Sequence, residues 1–283
     1  MKIVRVRRSR IHDTLSSALL SIFVLFFILP VIWLFLQSLT VGLTSTILTS
    51  PGLRIFYNLN IGNYVSILLP DSRFFTYALN STVIASTATV MTVLLGSLCA
   101  YALAKLRVKR AQDLKLWLLS LRFLPPIAII VPLFLAYVRL SLLDTQLGLI
   151  LVYTMMNLPF AVWLMIASFE ETPVEIEEAA LMDGCSRLQV LRKIDIPLVK
   201  GAIAVVALFV FIACWNEFLF ALVFTEVRAE TLTRGLSAHI TQAGPEWGEM
   251  SAMGIIMMLP IIAVAFILQK HIVKSLTFGA VKG

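Results

Sequence analysis

Six apolar runs, each long enough to cross a lipid bilayer as a helix, constrain this chain more than any other feature of its sequence. A spanning helix needs about 20 residues, whereas a barrel strand is roughly half as long and alternates in polarity. Continuous runs of the longer kind satisfy their backbone polar groups in lipid only as helices. The sequence therefore predicts an all-α polytopic membrane protein with six transmembrane helices, over Thr14–Leu39, Phe75–Ala104, Leu116–Val138, Gln146–Phe169, Gly201–Phe224 and Met250–Gln269.

The composition excludes soluble and disordered chains. The 283 residues are 59% hydrophobic and 14% charged, whereas average soluble domains are about 45–50% apolar and about 25% charged. A water-soluble globule of this composition would expose large apolar patches, and disordered chains contain few aromatic residues. The formal net charge of +7 is accounted for by the basic cytoplasmic loops of a membrane protein, so no nucleic-acid partner is inferred.

The distribution of Lys and Arg predicts the orientation in the membrane. Seventeen of these residues lie in segments 1–13, 105–115, 170–200 and 270–283, and five lie in the alternate connections. Because cytoplasmic segments carry the excess of Lys and Arg, both termini are predicted to be cytoplasmic. The predicted organisation is a cytoplasmic N-terminus at 1–13, a membrane domain at 14–269 and a cytoplasmic tail at 270–283.

The longest predicted cytoplasmic connection, residues 170–200, begins with the signals of a short helix. Thr172 and Glu175 match a capping box, and Pro173 suits the first helical position. The i, i+3, i+4 spacing places three apolar or small side chains on one face: Ile176, Ala179 and Ala180.

A second short helix is predicted in the same loop. Gly184 suits the left-handed residue that ends the first helix. Ser186 and Gln189 form another capping box, and Pro197 is predicted to end the second helix before the fifth span. Two interpretations of the loop are open at this point. It is either an amphipathic connector on the lipid headgroups or a protein-docking element, and its Glu-rich edge favours docking, since an anionic membrane surface attracts Lys and Arg.

Three segments of this loop have a characteristic spacing. Glu178-Ala179-Ala180 is followed after three residues by Gly184 and after nine more by Ile194-Asp195-Ile196-Pro197. This arrangement resembles the EAA loop of ATP-binding-cassette (ABC) importer permeases, whose pattern is EAA-x3-G-x9-I-x-L-P. Ile196 in place of leucine is the single departure.

Flanking segments resemble the carbohydrate-uptake branch of that family, with six-span, maltose-permease-like subunits. They are Leu158-Pro159-Phe160, Trp215-Asn216-Glu217-Phe218 and the ending Gly279-Ala280-Val281-Lys282-Gly283. The resemblance implies a type I ABC importer permease fold, with a peripheral N-terminal helix beside a five-helix core, in the plasma (inner) membrane of a prokaryote.

The resemblance also implies partners and site residues. In such systems the loop supplies a coupling helix that sits in a cleft of the ATPase, which implies ATPase-coupling roles for Glu178, Ala179, Ala180, Gly184, Ile194 and Pro197. The implied partners are a second homologous permease, an ATPase dimer and an extracytoplasmic substrate-binding protein, with a sugar, oligosaccharide or polyol as substrate. The binding protein is expected to contact the outer loop 225–249, at Gln242, Gly244 and Trp247.

Several motifs of enzymes are missing from the sequence. It contains no Gly-x4-Gly-Lys-Ser/Thr phosphate loop, no His-Glu-x-x-His, no Cys/His cluster and no Gly-x-Ser-x-Gly. We therefore predict a transmembrane subunit that is not an enzyme, with no catalytic residue, metal site or bound cofactor. ATP and Mg²⁺ are expected on the partner ATPase.

Two ionisable residues, Arg122 and Glu217, are predicted to lie well inside spans, where a charge is costly and faces protein or water. They line a translocation path together with Asn216, or they are structural anchors between helices. A rival function is a self-contained carrier or channel that uses Glu217 as a proton site. Prolines interrupt spans three, four and six at Pro125-Pro126, Pro132, Pro159 and Pro260, and broken helices often border a transport path.

Overall fold

Helices make up almost all of the regular structure in the computed structural model, which describes residues 10–40, 59–69, 72–242 and 244–278. In chain order they are α1 (Arg10–Ser38), α2 (Gly62–Leu68), α3 (Phe74–Lys105), α4 (Ala111–Leu121), α5 (Pro126–Arg139), α6 (Gln146–Glu170), α7 (Val174–Met182), α8 (Arg187–Val190), α9 (Ile196–Trp215), α10 (Leu219–Phe224), α11 (Leu232–Ser237) and α12 (Trp247–Phe278). A π-helical segment, Leu191–Asp195, joins α8 to α9, and the strands β1 (Ile240–Thr241) and β2 (Gly244–Pro245) pair antiparallel. The ends of the predicted cytoplasmic termini, residues 1–9 and 279–283, lie outside the described residues.

The six predicted membrane spans correspond to six apolar helical segments. Five are stretches of helix long and apolar enough to cross a membrane, namely Ser16–Ser38, Phe74–Lys105, Gln146–Glu170, Arg187–Trp215 and Trp247–Ile267. The sixth is the pair α4 and α5, which meets the same criterion as one unit but bends by 91° at a short break. The predicted all-α architecture is confirmed.

The break between α4 and α5 lies at a pair of prolines. α4 ends with Arg122 as its C-cap, Pro125 has an extended backbone, and α5 starts at Pro126. A proline disfavours helical backbone in the residue before it, and two successive prolines apply that restriction twice. The interruption indicated by the sequence is confirmed here, and Arg122, expected well inside a span, lies at the break instead.

The other prolines do not break their spans. Pro132, Pro159 and Pro260 lie inside α5, α6 and α12. The expectation that they interrupt their helices is therefore wrong, because membrane helices tolerate proline where neighbouring groups satisfy the freed carbonyl.

The predicted fifth span, Gly201–Phe224, starts earlier than expected and is broken near its end. α9 continues directly from the π-helical segment at Ile196, and it ends at Trp215. After Asn216, Glu217 and Phe218, the chain resumes as α10. The apolar run alone does not reveal this break because its flanks on both sides are equally hydrophobic.

The chain divides into two compact units, and the larger comprises Arg73–Ala238 with Met258–Gly283. Its centre is formed by α3, α6 and α9, which pack on one another. Gly96 of α3 lies so close to α6 that an added Cβ would be 2.8 Å from Met165 Cε and 3.3 Å from Ala161 Cβ. Small residues at such contacts let membrane helices approach closely, so α3 and α6 form a tight pair.

The other unit comprises Met1–Ser72 with His239–Met257. In it, the Asn63 side chain donates hydrogen bonds to the carbonyl oxygens of Ser38 (2.8 Å) and Thr40 (2.9 Å), which ties α2 to the end of α1. Gly248 of α12 lies against the same amide, since an added Cβ would be 2.5 Å from Asn63 Nδ2. The start of α12 is thereby held against α2.

Candidate functional site

The loop predicted to be cytoplasmic begins with α7, whose N-terminus differs from the predicted capping box. Pro173 is the N-cap and supplies no side-chain acceptor. The Thr172 hydroxyl donates instead to Ser168 O at 3.5 Å, and the Thr172 N–H donates to Phe169 O at 3.1 Å. The predicted Thr172 cap is therefore wrong, because this residue belongs to the turn that ends α6.

The side chains of α7 divide into an inward and an outward face. Glu177 and Ala180, spaced i, i+3, are 2% and 9% exposed. Ile176 is 43% exposed, and Glu178 and Ala179 are also exposed. Ala180 therefore does not share a face with Ile176 and Ala179 as predicted. The outward face of α7 is apolar and small with a glutamate beside it, which suits it to contact another protein.

Gly184 ends α7 in the left-handed conformation that the sequence predicted, with φ of +89°. Its N–H donates to Leu181 O, and the Cys185 N–H donates to Ala180 O, both at 3.0 Å. These two bonds form a Schellman motif, which satisfies carbonyls at the end of the helix. The direction in which the chain leaves α7 is thus set by this glycine.

The second helix of the loop starts with the predicted capping box. Gln189 N–H donates to Ser186 Oγ at 3.3 Å, and Ser186 N–H donates to Gln189 Oε1 at 2.8 Å. The helix does not end at Pro197 as predicted. The Ile196 N–H instead reaches back five residues to Leu191 O, and this widened π-helical turn lets the helix continue through the proline.

Of the remaining coupling residues, Ile194 is half-buried and Pro197 is exposed.

Sequence reasoning missed a further residue of the loop, Glu177, whose Oε1 lies 2.7 Å from Lys105 Nζ of α3. Both side chains are almost fully buried. The sequence offered one signal for this pair, because Lys105 stands at the very end of an apolar run. Its partner Glu177 is distant in the sequence, so the pairing itself could not be predicted.

A cavity of about 860 Å³ lies between α4, α5, α6 and the break after α9. Its lining includes both charged residues that the sequence assigned to spans, Arg122 and Glu217, together with Tyr153, Asn157 and Phe220. The Arg122 guanidinium carbon lies 5.0 Å from the centre of the Phe160 ring, a cation–π contact. The structure thus brings Arg122 and Glu217 to one cavity.

Asn216 does not line this cavity. Its side-chain amide donates to Ile212 O of its own helix at 2.9 Å.

Glu217 lines the cavity and also forms hydrogen bonds within the chain. Its carboxylate accepts the N–H groups of Phe220 (3.0 Å) and Ala221 (3.2 Å) at the start of α10. Both interpretations of Glu217, cavity wall and structural anchor, have a geometric basis.

On the side predicted to be extracytoplasmic, Asp144 organises the turn that follows α10. Its carboxylate accepts four successive backbone N–H groups at 3.0 to 3.2 Å, those of Glu226, Val227, Arg228 and Ala229. Burial raises the pKa of Asp144, but these four donors outweigh that effect and lower the pKa below its usual value. The side chain is a clamp between two outer loops.

A second anchor holds the same turn to α3. The Asn80 amide donates to the carbonyl oxygens of Arg228 and Glu230, each at 2.9 Å, and accepts from the Gln146 amide at 2.7 Å. The Ser81 hydroxyl accepts the Leu232 N–H at 2.8 Å. The first half of the outer loop is therefore rigidly attached, a role that the sequence pattern did not indicate.

The second half of the outer loop contains the residues expected to contact a binding protein. Gln242 is exposed at the turn between β1 and β2, and Gly244 has φ of +114°. Trp247 is 50% exposed at the start of α12, and Ile240 of β1 is 60% exposed. The hairpin and the start of α12 thus each expose one large apolar side chain, Ile240 and Trp247.

The residues with metal-ligating side chains that come together in the described part of the chain are His239, Glu246 and Glu249, whose ligand atoms lie within 4.8 Å of one another. His239 Nδ1 is 3.4 Å from Glu246 Oε2 and 3.0 Å from Glu249 Oε2. The Ser66 hydroxyl donates to Glu249 at 2.8 Å. The His239 ring nitrogen thus lies between the two carboxylates, and Glu249 has a further partner in Ser66.

Comparison with known proteins gives a consistent result. Residues 92–278 match the family described as binding-protein-dependent transport system inner membrane component. The chain is 35% identical over 277 residues to the trehalose/maltose transport system permease protein MalG of Thermococcus litoralis, covering 97% of each chain. It is 36% identical over 259 residues to the trehalose transport system permease protein SugB of Mycobacterium tuberculosis, covering 90% of this chain and 93% of that one.

A solved structure extends the similarity to the fold. It is a chain of a bacterial ABC transporter involved in the import of the acidic polysaccharide alginate, with a TM-score of 0.76 and 26% sequence identity. The match covers 93% of this chain and 97% of the other. The predicted resemblance to carbohydrate-uptake permeases and the type I ABC importer permease fold are therefore confirmed.

Proposed function

The chain belongs to the family of binding-protein-dependent transport system inner membrane components, and from this premise we propose that it is one permease subunit of an ATP-driven carbohydrate importer. The substrate is a sugar, oligosaccharide or polyol that a separate binding protein delivers. Relatives named for trehalose and maltose, and the similarity to an importer of alginate, support a saccharide.

The observation that carries the proposal is the outward face of α7. Ile176 and Ala179 are exposed on it, Glu178 lies beside them, and Gly184 sets the exit of the chain. Exposed apolar surface on a short cytoplasmic helix is costly in water and is stabilised by a protein partner. In the proposal this face seats in a cleft of the ATPase.

The partners in the proposed complex are a second homologous permease, a dimer of ATPase subunits and an extracytoplasmic binding protein. ATP and Mg²⁺ bind to the ATPase, and this chain holds no catalytic group or cofactor. When ATP closes the ATPase dimer, α7 moves with its cleft and shifts the population of the helices from inward-open to outward-open. The proposed ATPase-coupling residues are Glu178 and Ala179 on the outward face of α7, Gly184 at its end, and Ile194 and Pro197 farther along the loop. Ala180, which the resemblance also implied, is buried on the inward face.

We place this subunit in the plasma (inner) membrane of a prokaryote with both termini cytoplasmic, which the Lys and Arg distribution supports. The cavity with Arg122 and Glu217 in its wall is the proposed part of the translocation path. Gln242, Gly244 and Trp247 lie in the proposed binding-protein contact. A self-contained carrier that uses Glu217 as a proton site is not favoured, because the relatives belong to multi-subunit transport systems.

The direct test is assembly and transport with the other subunits. Ala179→Asp adds a charge to the outward face of α7, which costs several kcal/mol if it is buried without a partner. This variant should insert into the membrane normally but lose the ATPase on purification. Ala179→Ser is the matched control, and it should keep the ATPase. If Ala179→Asp retains the ATPase and the wild-type transport rate, the face does not dock and the proposal fails.

A further inference from the structure

A buried cluster of three charged side chains joins the ends of two membrane-spanning helices to α7. Lys105 is the last residue of α3, Glu177 lies on the inward face of α7, and Asp195 ends the π-helical segment that leads into α9. Asp195 is 0% exposed and Glu177 is 2% exposed. Charged groups are rarely buried so completely unless they interact with each other.

The cluster is centred on the Lys105 ammonium. Lys105 Nζ forms an ion pair with Glu177 Oε1 at 2.7 Å, and its hydrogen bond goes to Thr172 O, at 2.7 Å. The Asp195 carboxylate interacts electrostatically with both Glu177 and Lys105. Neither of its oxygens has a hydrogen-bond partner among the described residues. The cluster therefore holds one ion pair, Lys105–Glu177, and one further buried carboxylate, Asp195, that has no ion pair of its own among the described residues.

One side of the cluster is packed and apolar, whereas its other side borders a cavity of about 800 Å³ whose lining includes Lys105, Glu177 and Arg187. Tyr101, one helical turn before Lys105, is 4% exposed and its ring lies 5.9 Å from the ring of Phe169, which is fully buried. Val190, at the end of α8, is also fully buried. On the buried side the interaction between charges is stronger than at the surface, so movement of α7 relative to α3 requires the Lys105–Glu177 ion pair to separate at a cost.

We propose that Lys105, Glu177 and Asp195 form the mechanical joint that transmits movement of α7 to the membrane helices α3 and α9. The outward face of α7 seats the ATPase in the proposed function, on which this inference rests, while the inward face carries Glu177. A displacement of α7 therefore pulls on the end of α3 through the Lys105–Glu177 ion pair, and it changes the charges that face Asp195 at the start of α9. Lys105 and Glu177 are positioning residues for coupling, distinct from the residues that contact the ATPase.

The arrangement of the three charges predicts how strongly each substitution weakens the coupling between α7 and the membrane helices. Lys105→Met leaves two buried carboxylates without a cation and should weaken this coupling more than the other substitutions do. Glu177→Gln breaks the joint but leaves Lys105 near Asp195, so it should be intermediate. Asp195→Asn removes the surplus carboxylate and should be mildest. Adding Glu177→Gln to Lys105→Met should partly rescue the single variant, because removing a buried charge that has lost its partner relieves its cost.

A second cytoplasmic ion pair provides a matched control. Lys115 of α4 pairs with Glu170 at the end of α6, but these side chains are 21% and 48% exposed. Exposed pairs contribute little. Lys115→Met and Glu170→Gln should therefore behave as wild type in the same measurements.

The experiment has two arms. In the first, hydrogen exchange of the backbone amides of α7 is measured in the purified chain. Lys105→Met and Glu177→Gln should speed exchange by about tenfold or more, because the helix loses its buried anchor. This arm tests the joint even if the complex shows no ATP-driven transport, a result that would count against the proposed function alone.

In the second arm, transport per ATP hydrolysed is measured with the reconstituted complex. We expect Glu177→Gln to bind the ATPase and hydrolyse ATP, but to transport about tenfold less per ATP, within the usual range of coupling between sites. A purely structural role would lower assembly and both activities together. Unchanged exchange in α7, an unchanged ratio of transport to hydrolysis, or an equal loss in the Lys115 and Glu170 variants would overturn the inference.

Discussion

The Glu217 carboxylate accepts the backbone N–H of Phe220 at 3.0 Å across the break in the fifth span. A second acceptor contact, to the Ala221 N–H at 3.2 Å, completes a cap on α10. Unsatisfied backbone donors are costly in a membrane. One carboxylate therefore stabilises a helix start that the apolar sequence around it leaves without another side-chain acceptor.

The cap and the proton-site interpretations of Glu217 predict opposite results for one substitution. Glu217→Gln keeps one oxygen that accepts one of the two N–H groups and so retains part of the cap, and we expect transport close to wild type. Glu217→Ala removes the cap, which costs about 0.5–2 kcal/mol, and should lower the thermal stability of the purified chain. Transport in proteoliposomes and thermal unfolding in detergent measure the two effects. Asn216→Ala is the control, since among the described residues the Asn216 side chain bonds to Ile212 O of its own helix. Loss of transport in Glu217→Gln would contradict the cap.

A side chain at Gly184 should disturb coupling through the backbone alone. With φ of +89°, a β-branched residue is strained there by about 1–2 kcal/mol, although no atom lies within 4 Å of an added Cβ. We expect Gly184→Val to retain the ATPase but to uncouple hydrolysis from transport, because the chain leaves α7 in another direction. Gly201→Val is the matched control, since its position is equally open and its helical backbone accepts valine. Equal transport per ATP in both variants would show that the turn is not needed.

The Asp144 clamp makes an outer turn sensitive to the loss of a charge. Asp144→Asn leaves four backbone N–H donors facing one amide oxygen and one amide NH₂ group. We expect the free energy of unfolding to fall by about 1 kcal/mol. This value is at the low end for hydrogen bonds to charged acceptors, because the side chain is partly exposed. Thermal unfolding of wild type and Asp144→Asn at neutral pH measures this loss of stability. Glu226→Gln, an exposed carboxylate in the same turn, should leave the unfolding temperature unchanged.

The same clamp has a defined pH dependence. Because the folded-state pKa of Asp144 is lowered, its contribution is present above the unfolded value of about 3.9 and is lost as pH falls through the folded value. The difference in stability between wild type and Asp144→Asn should therefore be constant near neutrality and shrink only below about pH 4. A difference that shrinks already between pH 7 and pH 5 would contradict the clamp.

The sequence predicted the spans well because their signal is local. The start of α6 at Gln146 and the start of α3, one residue from the predicted Phe75, follow directly from the apolar runs. Gly184 and the Ser186 capping box were also predictable, since each depends on a few neighbouring residues. These features are determined by backbone conformation within one turn of chain.

The errors arose where distant segments decide the structure. The burial of Glu177 depends on Lys105, which lies at the end of another span. Thr172 follows the end of α6 rather than capping α7, because its backbone is already bonded to Phe169. Pro197 continues a helix because a π-helical turn precedes it. No local pattern distinguishes these outcomes.

The hairpin β1–β2 should matter for the binding protein and not for the ATPase. Shortening it between Gln242 and Trp247 removes the exposed turn on the outer side, so we expect lower transport and weaker stimulation of ATP hydrolysis by the binding protein. Co-purification with the ATPase should be unchanged. Gln242→Ala, which keeps the hairpin, is the control. Full stimulation after the deletion would exclude this contact.

The orientation predicted from Lys and Arg can be tested at two positions of equal exposure. Leu140, after α5, and Leu188, in α8, are each 66% exposed, and the charge bias places them outside and inside. Each is replaced by cysteine in a chain whose native cysteines, Cys99, Cys185 and Cys214, are changed to serine. An impermeant thiol reagent should label position 140 in intact cells, and position 188 only after permeabilisation. Labelling of position 188 in intact cells would show that the orientation is opposite to the predicted one. In that orientation α7 would face away from any cytoplasmic ATPase.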